Sequence, residues 1–170
     1  MRTPLSLSEH SSPALPAFVA GIIGAIGTDA FLSIAHHTSP VNVWQFIAST
    51  AVGTVALSSP SYASVGLAMH LLTALFWAYL YQYVAGKLKL IHNWVLGGVV
   101  WGIVVSVVMN ALIAVRGALE PQTFSLVLFE LATNVIFYGL PVAWYLSRTS
   151  HTIARSNERE RSRQTATLIR

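Results

Sequence analysis

Residues 95–115 read VLGGVVWGIVVSVVMNALIAV, a run that contains no charged side chain. Three further stretches resemble it, at 17–36, 65–85 and 126–146, and the only charged residues inside them are Asp29 and Glu130. Each stretch has close to the roughly 20 residues that a helix needs to cross about 30 Å of hydrocarbon. The pattern predicts an all-α integral membrane protein, an antiparallel bundle of four transmembrane helices.

The composition indicates the same class of protein. Of the 170 residues, 54% are hydrophobic and 9% are charged, whereas soluble domains carry roughly 25% charged residues. Buried helices of a soluble protein would need polar faces that these stretches lack. The chain is too apolar for a nucleic-acid-binding protein, even with a net charge of +4, because that charge is concentrated near the C-terminus. The absence of cysteine excludes disulfides, thiolate metal sites and a cysteine nucleophile.

A fifth apolar stretch, at 42–57, is too short to span a bilayer with ease. It carries Gln45, Ser49 and Thr50, and it is bracketed by Pro40 and Pro60. A short stretch of this kind is typical of an interfacial or re-entrant helix. We therefore predict a short extra helix on one face of the bundle.

The basic residues predict the orientation of the bundle. With four spans, one side carries Arg2, Lys87, Lys89 and the six arginines that follow residue 146, and the other side carries only Arg116. Five spans would give a weaker bias. Because positively charged loops stay in the cytoplasm, both termini are expected there.

Both ends of the chain are more polar than its middle. We expect a flexible N-terminal tail at 1–16, a four-helix transmembrane domain at 17–146 and an arginine-rich cytoplasmic tail at 147–170. Arginines close to a membrane surface attract anionic lipid. The first apolar stretch is too long for a signal-peptide core and contains Asp29, so it is predicted to remain as a span.

Small residues recur every four positions along the predicted spans. Positions four apart lie on one helical face, and small residues there let helices approach closely. The same faces would suit a homodimer. The predicted packing positions are Gly21, Gly24, Gly66, Gly98 and Gly102.

Polar residues inside the spans predict a functional layer. Counting about 1.5 Å per residue from the span ends, five of them reach one depth in the outer half of the bilayer, and such residues usually face the bundle and pair. The expected cluster is Asp29, His70, Asn110, Glu130 and Asn134. The expected rim nearer the outer surface is Ser33, His36, His37 and Gln45. The stretch at 42–57 connects the first two spans on that side and could act as a lid.

Several chemistries fit this cluster, and the sequence leaves them open. Two carboxylates beside a histidine can pass a proton, and the same oxygen and imidazole ligands could hold a divalent cation. Haem would need two facing histidines, for which only His70 with His36 or His37 is available. Alternatively, the polar groups only fix helix packing. We assign no catalytic residue, no metal and no cofactor.

Some of these residues resemble a known family. They are His70 early in the second span, the turn Lys87-Leu88-Lys89-Leu90, the Gly97-Gly98 entry to the third span, and Glu130 followed by Asn134. Over roughly 66–148 the chain resembles the YagU-type proteins of the bacterial inner membrane, with Asn134 where that family has a histidine. The resemblance implies a multi-pass inner-membrane location and no particular activity.

The sequence therefore supports three functional hypotheses. The first is transport or permeation of protons, cations or a small polar solute through the polar layer. The second is a structural or accessory membrane protein without transport, and the third is a small redox protein that binds haem or quinone. An enzymatic activity is not indicated.

Overall fold

The computed structural model describes residues 14–88, 93–115 and 124–168, and every regular element in these ranges is helical. In chain order the elements are α1 (Ala14–Ala35), α2 (Pro40–Val52), a short 3-10 helix (Thr54–Ser58), α3 (Tyr62–Lys87), α4 (Trp94–Val115), α5 (Phe124–Thr133), a π-helical segment (Asn134–Gly139) and α6 (Leu140–Leu168). Most of the predicted N-terminal tail (residues 1–13), Arg2, Lys89, Leu90, Arg116 and Arg170 lie outside the described residues.

Four helical segments are long and apolar enough to cross a membrane. They are Ala14–Ala35, Tyr62–Lys87, Trp94–Leu112 and Phe124–Ser150. Each contains or overlaps one predicted span, so the prediction of an all-helical chain with four such segments is confirmed. Most of their ends lie a few residues beyond the predicted ones, because polar residues at the ends of an apolar run can still continue a helix.

Contacts between the helices show that consecutive spans run in opposite directions. Gly21 of α1 lies against Leu75 of α3, while Asp29, two turns later in α1, lies beside His70, which is earlier in α3. In the same way Gly98 of α4 meets Leu140, and Gly102 meets Val135. We call the end where α1 begins and α3 ends the inner end of the bundle, and the opposite end the outer end.

The five predicted packing glycines all lie against another helix of the same chain. A Cβ atom at Gly21 would touch Leu75, one at Gly24 would overlap the ring of Tyr138, and those at Gly98 and Gly102 would press on the backbone of the last span. Gly66 is the tightest, since its Cβ would overlap the carbonyl of Trp44 in α2. These faces are already occupied within one chain, so a second copy would have to bind elsewhere.

Large aromatic side chains separate α3 from α4. Trp77 and Tyr81 of α3 both contact Trp101 of α4, with ring centroids 5.7 and 5.3 Å apart. The other interfaces are lined by small buried residues, among them Ala20, Ala25, Ala74, Ala78 and Ala143. The bundle thus has close backbone packing around α1 and an aromatic wall between α3 and α4.

The stretch predicted as a short extra helix forms α2 and the 3-10 helix. Ser39 caps α2 by accepting a hydrogen bond from the amide of Asn42, and Pro40 occupies its first turn, where no amide donor is needed. The helix ends at Gly53, whose φ of 85° favours glycine. Gln45 is buried and its amide donates to the carbonyl of Ala56, which fastens the 3-10 helix to α2. Most of the contacts of α2 are to α3 and fewer are to α1.

The last span is one continuous helical rod with a π-helical segment in its middle. Pro141 has no amide hydrogen, so it cannot bond the carbonyl of Phe137, and the amide of Leu140 instead bonds the carbonyl of Val135, five residues back. A proline inside a helix removes one backbone hydrogen bond, and here the helix accommodates this loss by forming the π-helical segment. Past the predicted span end, α6 stays helical as far as Leu168, across most of the predicted tail.

Candidate functional site

The deepest charged contact in the described part of the chain joins α1 to α3. Oδ1 of Asp29 lies 3.2 Å from Nε2 of His70, and the two side chains are only 13% and 19% exposed, respectively. Asp29 is six residues, or about 9 Å, from the outer end of α1. An ionisable pair this deep in an apolar helix bundle is expensive unless its members meet each other, as these do.

Helix α2 covers this pair. The indole nitrogen of Trp44 donates a hydrogen bond of 2.9 Å to Oδ2 of Asp29, so the second carboxylate oxygen is tied to α2 while the first faces His70. Trp44 is placed there by Gly66, which lets the backbone of α2 lie directly on α3. The site is therefore built by three helices: α1 supplies the carboxylate, α3 the imidazole and α2 the indole.

Three buried polar atoms in this region make no hydrogen bond within the described residues. They are Oδ1 of Asp29, Nε2 of His70 and Oγ of Ser33, which follows Asp29 by one turn of α1. The ring nitrogen of His70 approaches the carboxylate at ion-pair distance, but without the alignment of a hydrogen bond. A buried polar atom without a partner costs about 1–3 kcal/mol. At 3.2 Å the gap between Oδ1 and Nε2 can hold a shared proton but no larger species.

The other three members of the predicted cluster do not bond to this pair. The side-chain amide of Asn110 donates to the carbonyl of Ser106, and that of Asn134 donates to the carbonyl of Glu130, so each amide is bonded to its own helix. The polar contacts of Asp29 are to Trp44 and His70. The structure thus brings two of the five residues into contact and adds Trp44.

The opposite face of α1 explains this separation. Phe31 stacks on Phe137 and Phe129 of the last span, with ring centroids 4.1 and 5.5 Å apart. The face of α1 towards α5 is thus filled by phenylalanines, whereas Asp29 points to the face that packs on α3. The backbone carbonyl of Asn134 lies instead beside Gly102 of α4.

The predicted rim residues serve different roles. Ser33 lies next to the pair along α1, and Gln45 holds the 3-10 helix as described above. His36 is exposed, and its ring lies edge-on against Phe129. His37 has a positive φ of 49° and terminates α1. His36 therefore faces α5 rather than His70, and the two do not form the facing pair that haem would require.

No group of three or more histidine, aspartate or glutamate side chains that could hold a metal ion occurs within residues 14–88, 93–115 and 124–168. Asp29 and His70 supply two ligands, and the third neighbour, Trp44, offers an N–H donor and no lone pair. The local chemistry suits proton exchange better than coordination of a divalent cation.

Two residues of the site region were not singled out by sequence reasoning. Trp44 looks like an interfacial aromatic, and Tyr138 looks like one more member of a packing stripe. The usable signals were the single tryptophan of α2 and the glycine at position 66, since a glycine inside a membrane helix often marks a close backbone approach.

No protein-family model matches this chain, and no curated protein or solved structure matches it. The function is therefore inferred from the geometry of Asp29, Trp44 and His70.

Proposed function

We propose that this chain is a multi-pass membrane protein that lets protons cross the bilayer through the Asp29–His70 pair. The observation that supports the proposal best is this pair, buried at 3.2 Å between two apolar helices and covered by a third. The hypothesis from sequence was transport through a layer of five polar residues. The present proposal involves only one carboxylate, that of Asp29, and one imidazole, that of His70.

The charge on the pair explains why a proton is the preferred species. With one proton on the imidazole, the carboxylate and the imidazolium together carry no net charge, and burial is tolerated. When that proton leaves, one negative charge remains in an apolar bundle, which attracts another proton. A side-chain pair with these two states can take up a proton on one side and release it on the other.

The outer end of the bundle supports access to the pair. Ser33 follows Asp29 along α1, and the only direct polar contact from α2 to Asp29 is the indole of Trp44. Moving the indole aside would break that hydrogen bond and uncover the carboxylate. In this proposal α2 acts as a cover over the outer entrance.

The inner end is proposed to face the cytoplasm. Lys87 lies 4.2 Å over the ring of Tyr83 at the end of α3, and Arg148 lies 5.5 Å over the ring of Trp144 in α6. Aromatic rings with basic side chains at this level are typical of a membrane interface. The arginine-rich continuation of α6 would then lie next to anionic lipid, in keeping with the proposed YagU-like inner-membrane location.

Proton flux into vesicles tests the proposal. Purified protein reconstituted into liposomes with an internal pH-sensitive dye is expected to conduct protons when valinomycin and a potassium gradient set a membrane potential. His70→Gln should bring the rate down to that of protein-free vesicles, because the amide cannot carry a proton in and out. The matched control, His36→Gln, changes an exposed histidine of α1's outer end and should conduct as the wild type does. Equal flux in His70→Gln and wild type would refute the proposal.

A structural role is the second candidate, and the Trp44–Asp29 hydrogen bond favours it. That bond and the His70 contact both join separate helices, so the site could serve only to fasten α2 to the bundle. In that case the wild type would conduct no protons above the lipid leak, and the same variants would lower only thermal stability.

A further inference from the structure

We propose that the proton continues inward from the Asp29–His70 pair past Tyr138 and reaches the inner half of the bundle at the hydroxyl of Tyr81. This inference rests on the proposed function, since it names the residues that complete the route. Both tyrosines are buried, and neither belongs to the polar layer predicted from sequence.

Tyr138 lies directly inward of the pair. Its hydroxyl donates a hydrogen bond to the carbonyl of Ala74, which is one turn from His70 along α3. Its ring lies over Gly24, five residues inward of Asp29 along α1. The side chain is 4% exposed, so it fills the space between α1 and α3 and forms the floor of the site.

Tyr81 carries a hydroxyl that the packing of the bundle does not explain. The residue is 1% exposed, and its hydroxyl makes no hydrogen bond within the described residues. The indole nitrogen of Trp101, whose ring centroid lies 5.3 Å from that of Tyr81, is also buried without a partner. A phenylalanine would fill the same volume without the cost of an unbonded hydroxyl, about 1–3 kcal/mol. Two such groups side by side favour water at this place in the inner half.

The positions along α3 set the length of each step. His70, Ala74 and Tyr81 lie on the side of α3 that faces the bundle, separated by four and then seven residues, or about 6 and 10 Å of helix rise. Proton transfer needs a hydrogen bond of about 3 Å, so water molecules must bridge both steps. At Tyr138 the hydroxyl must first rotate away from the carbonyl of Ala74, to which it donates. The oxygen of each tyrosine then accepts a proton from one water molecule and releases its own to the next, so the side chain is unchanged after transfer and no other bond is made or broken.

The Tyr81→Phe variant tests this route in the vesicle assay described above. We expect its proton flux to fall by about a hundredfold, the lower end of the usual range for losing one proton-transfer group. Tyr79→Phe changes an exposed tyrosine of the same helix and should conduct as the wild type does. Because the Tyr81 hydroxyl makes no hydrogen bond to the described part of the protein, the melting temperature of Tyr81→Phe should stay equal or rise. Loss of flux without loss of stability is a result that a purely structural role does not give.

Tyr138→Phe provides a second variant with a different expectation. It removes the hydrogen bond to Ala74, so we expect both lower flux and a small decrease in melting temperature. If Asp29→Asn abolishes flux but both tyrosine variants conduct normally, the inward route is overturned and the proposed function stands. If the wild type does not conduct, both are overturned.

Discussion

Asp29→Asn is expected to reduce proton flux to the leak of protein-free vesicles while the protein keeps its fold. The asparagine has nearly the same size, and its oxygen can still accept the hydrogen bond from the indole of Trp44, so α2 should stay in place. It cannot carry the negative charge that attracts a proton to the site. The substitution therefore removes the charge of Asp29 and leaves the packing of the helices unchanged. The dye assay in vesicles measures the resulting proton flux.

Trp44→Phe is the variant to compare with Asp29→Asn. It removes the hydrogen bond that joins α2 to Asp29 and leaves the Asp29–His70 pair in place. Because the indole covers the carboxylate, this variant should conduct at least as fast as the wild type, with a somewhat lower melting temperature. Wild-type flux in Asp29→Asn would mean that protons cross elsewhere, and the proposed site would have to be abandoned.

Gly66→Ala is expected to detach α2 from α3 and to destabilise the protein by about 1–3 kcal/mol, the usual range for overpacking. The added Cβ atom would overlap the carbonyl of Trp44. That carbonyl belongs to the backbone of α2, so no rotation of a side chain can relieve the overlap. The whole of α2 must shift, and Trp44 should then lose its hydrogen bond to Asp29. Thermal unfolding in detergent measures the stability.

Gly86→Ala is the control on the same helix. A Cβ atom at Gly86 would meet nothing within 4 Å, and alanine is the better helix former by about 1 kcal/mol. This variant should therefore be as stable as the wild type or slightly more stable. If Gly66→Ala were equally well tolerated, α2 would not be docked on α3 as described.

The four apolar helices could be predicted from the sequence because their composition alone specifies them. A helix that faces lipid must bond its own backbone and carry apolar side chains, and residues 95–115 show this without any knowledge of neighbours. The π-helical segment before Pro141 was not specified in the same way. A proline in the sequence indicates that one helical hydrogen bond is missing. How the backbone of the last span rearranges depends on its contacts with Gly98 and Gly102 of α4.

The candidate site could be predicted only in part. The sequence indicates how deep a residue lies along its helix, but not towards which neighbouring helix its side chain points. Counting residues places Asp29, His70 and Glu130 at similar depths. It does not tell which face of each helix points to which neighbour, and that is decided by contacts such as the stacking of Phe31 on Phe137. Trp44 could not be assigned from the sequence, because a short helix between two spans has many possible docking positions.

The most direct test of the account uses the fact that Asp29 is the only aspartate in the chain. Protein with carboxyl-13C aspartate and ring-15N histidine, reconstituted in lipid bilayers, can be measured by solid-state NMR dipolar recoupling between the two labels. If Asp29 and His70 meet as described, a histidine nitrogen strongly dephases the single aspartate carboxyl signal, and this dephasing is lost in His70→Gln. A wild-type signal without dephasing would show that the two side chains do not meet, and the proposed site would then be wrong.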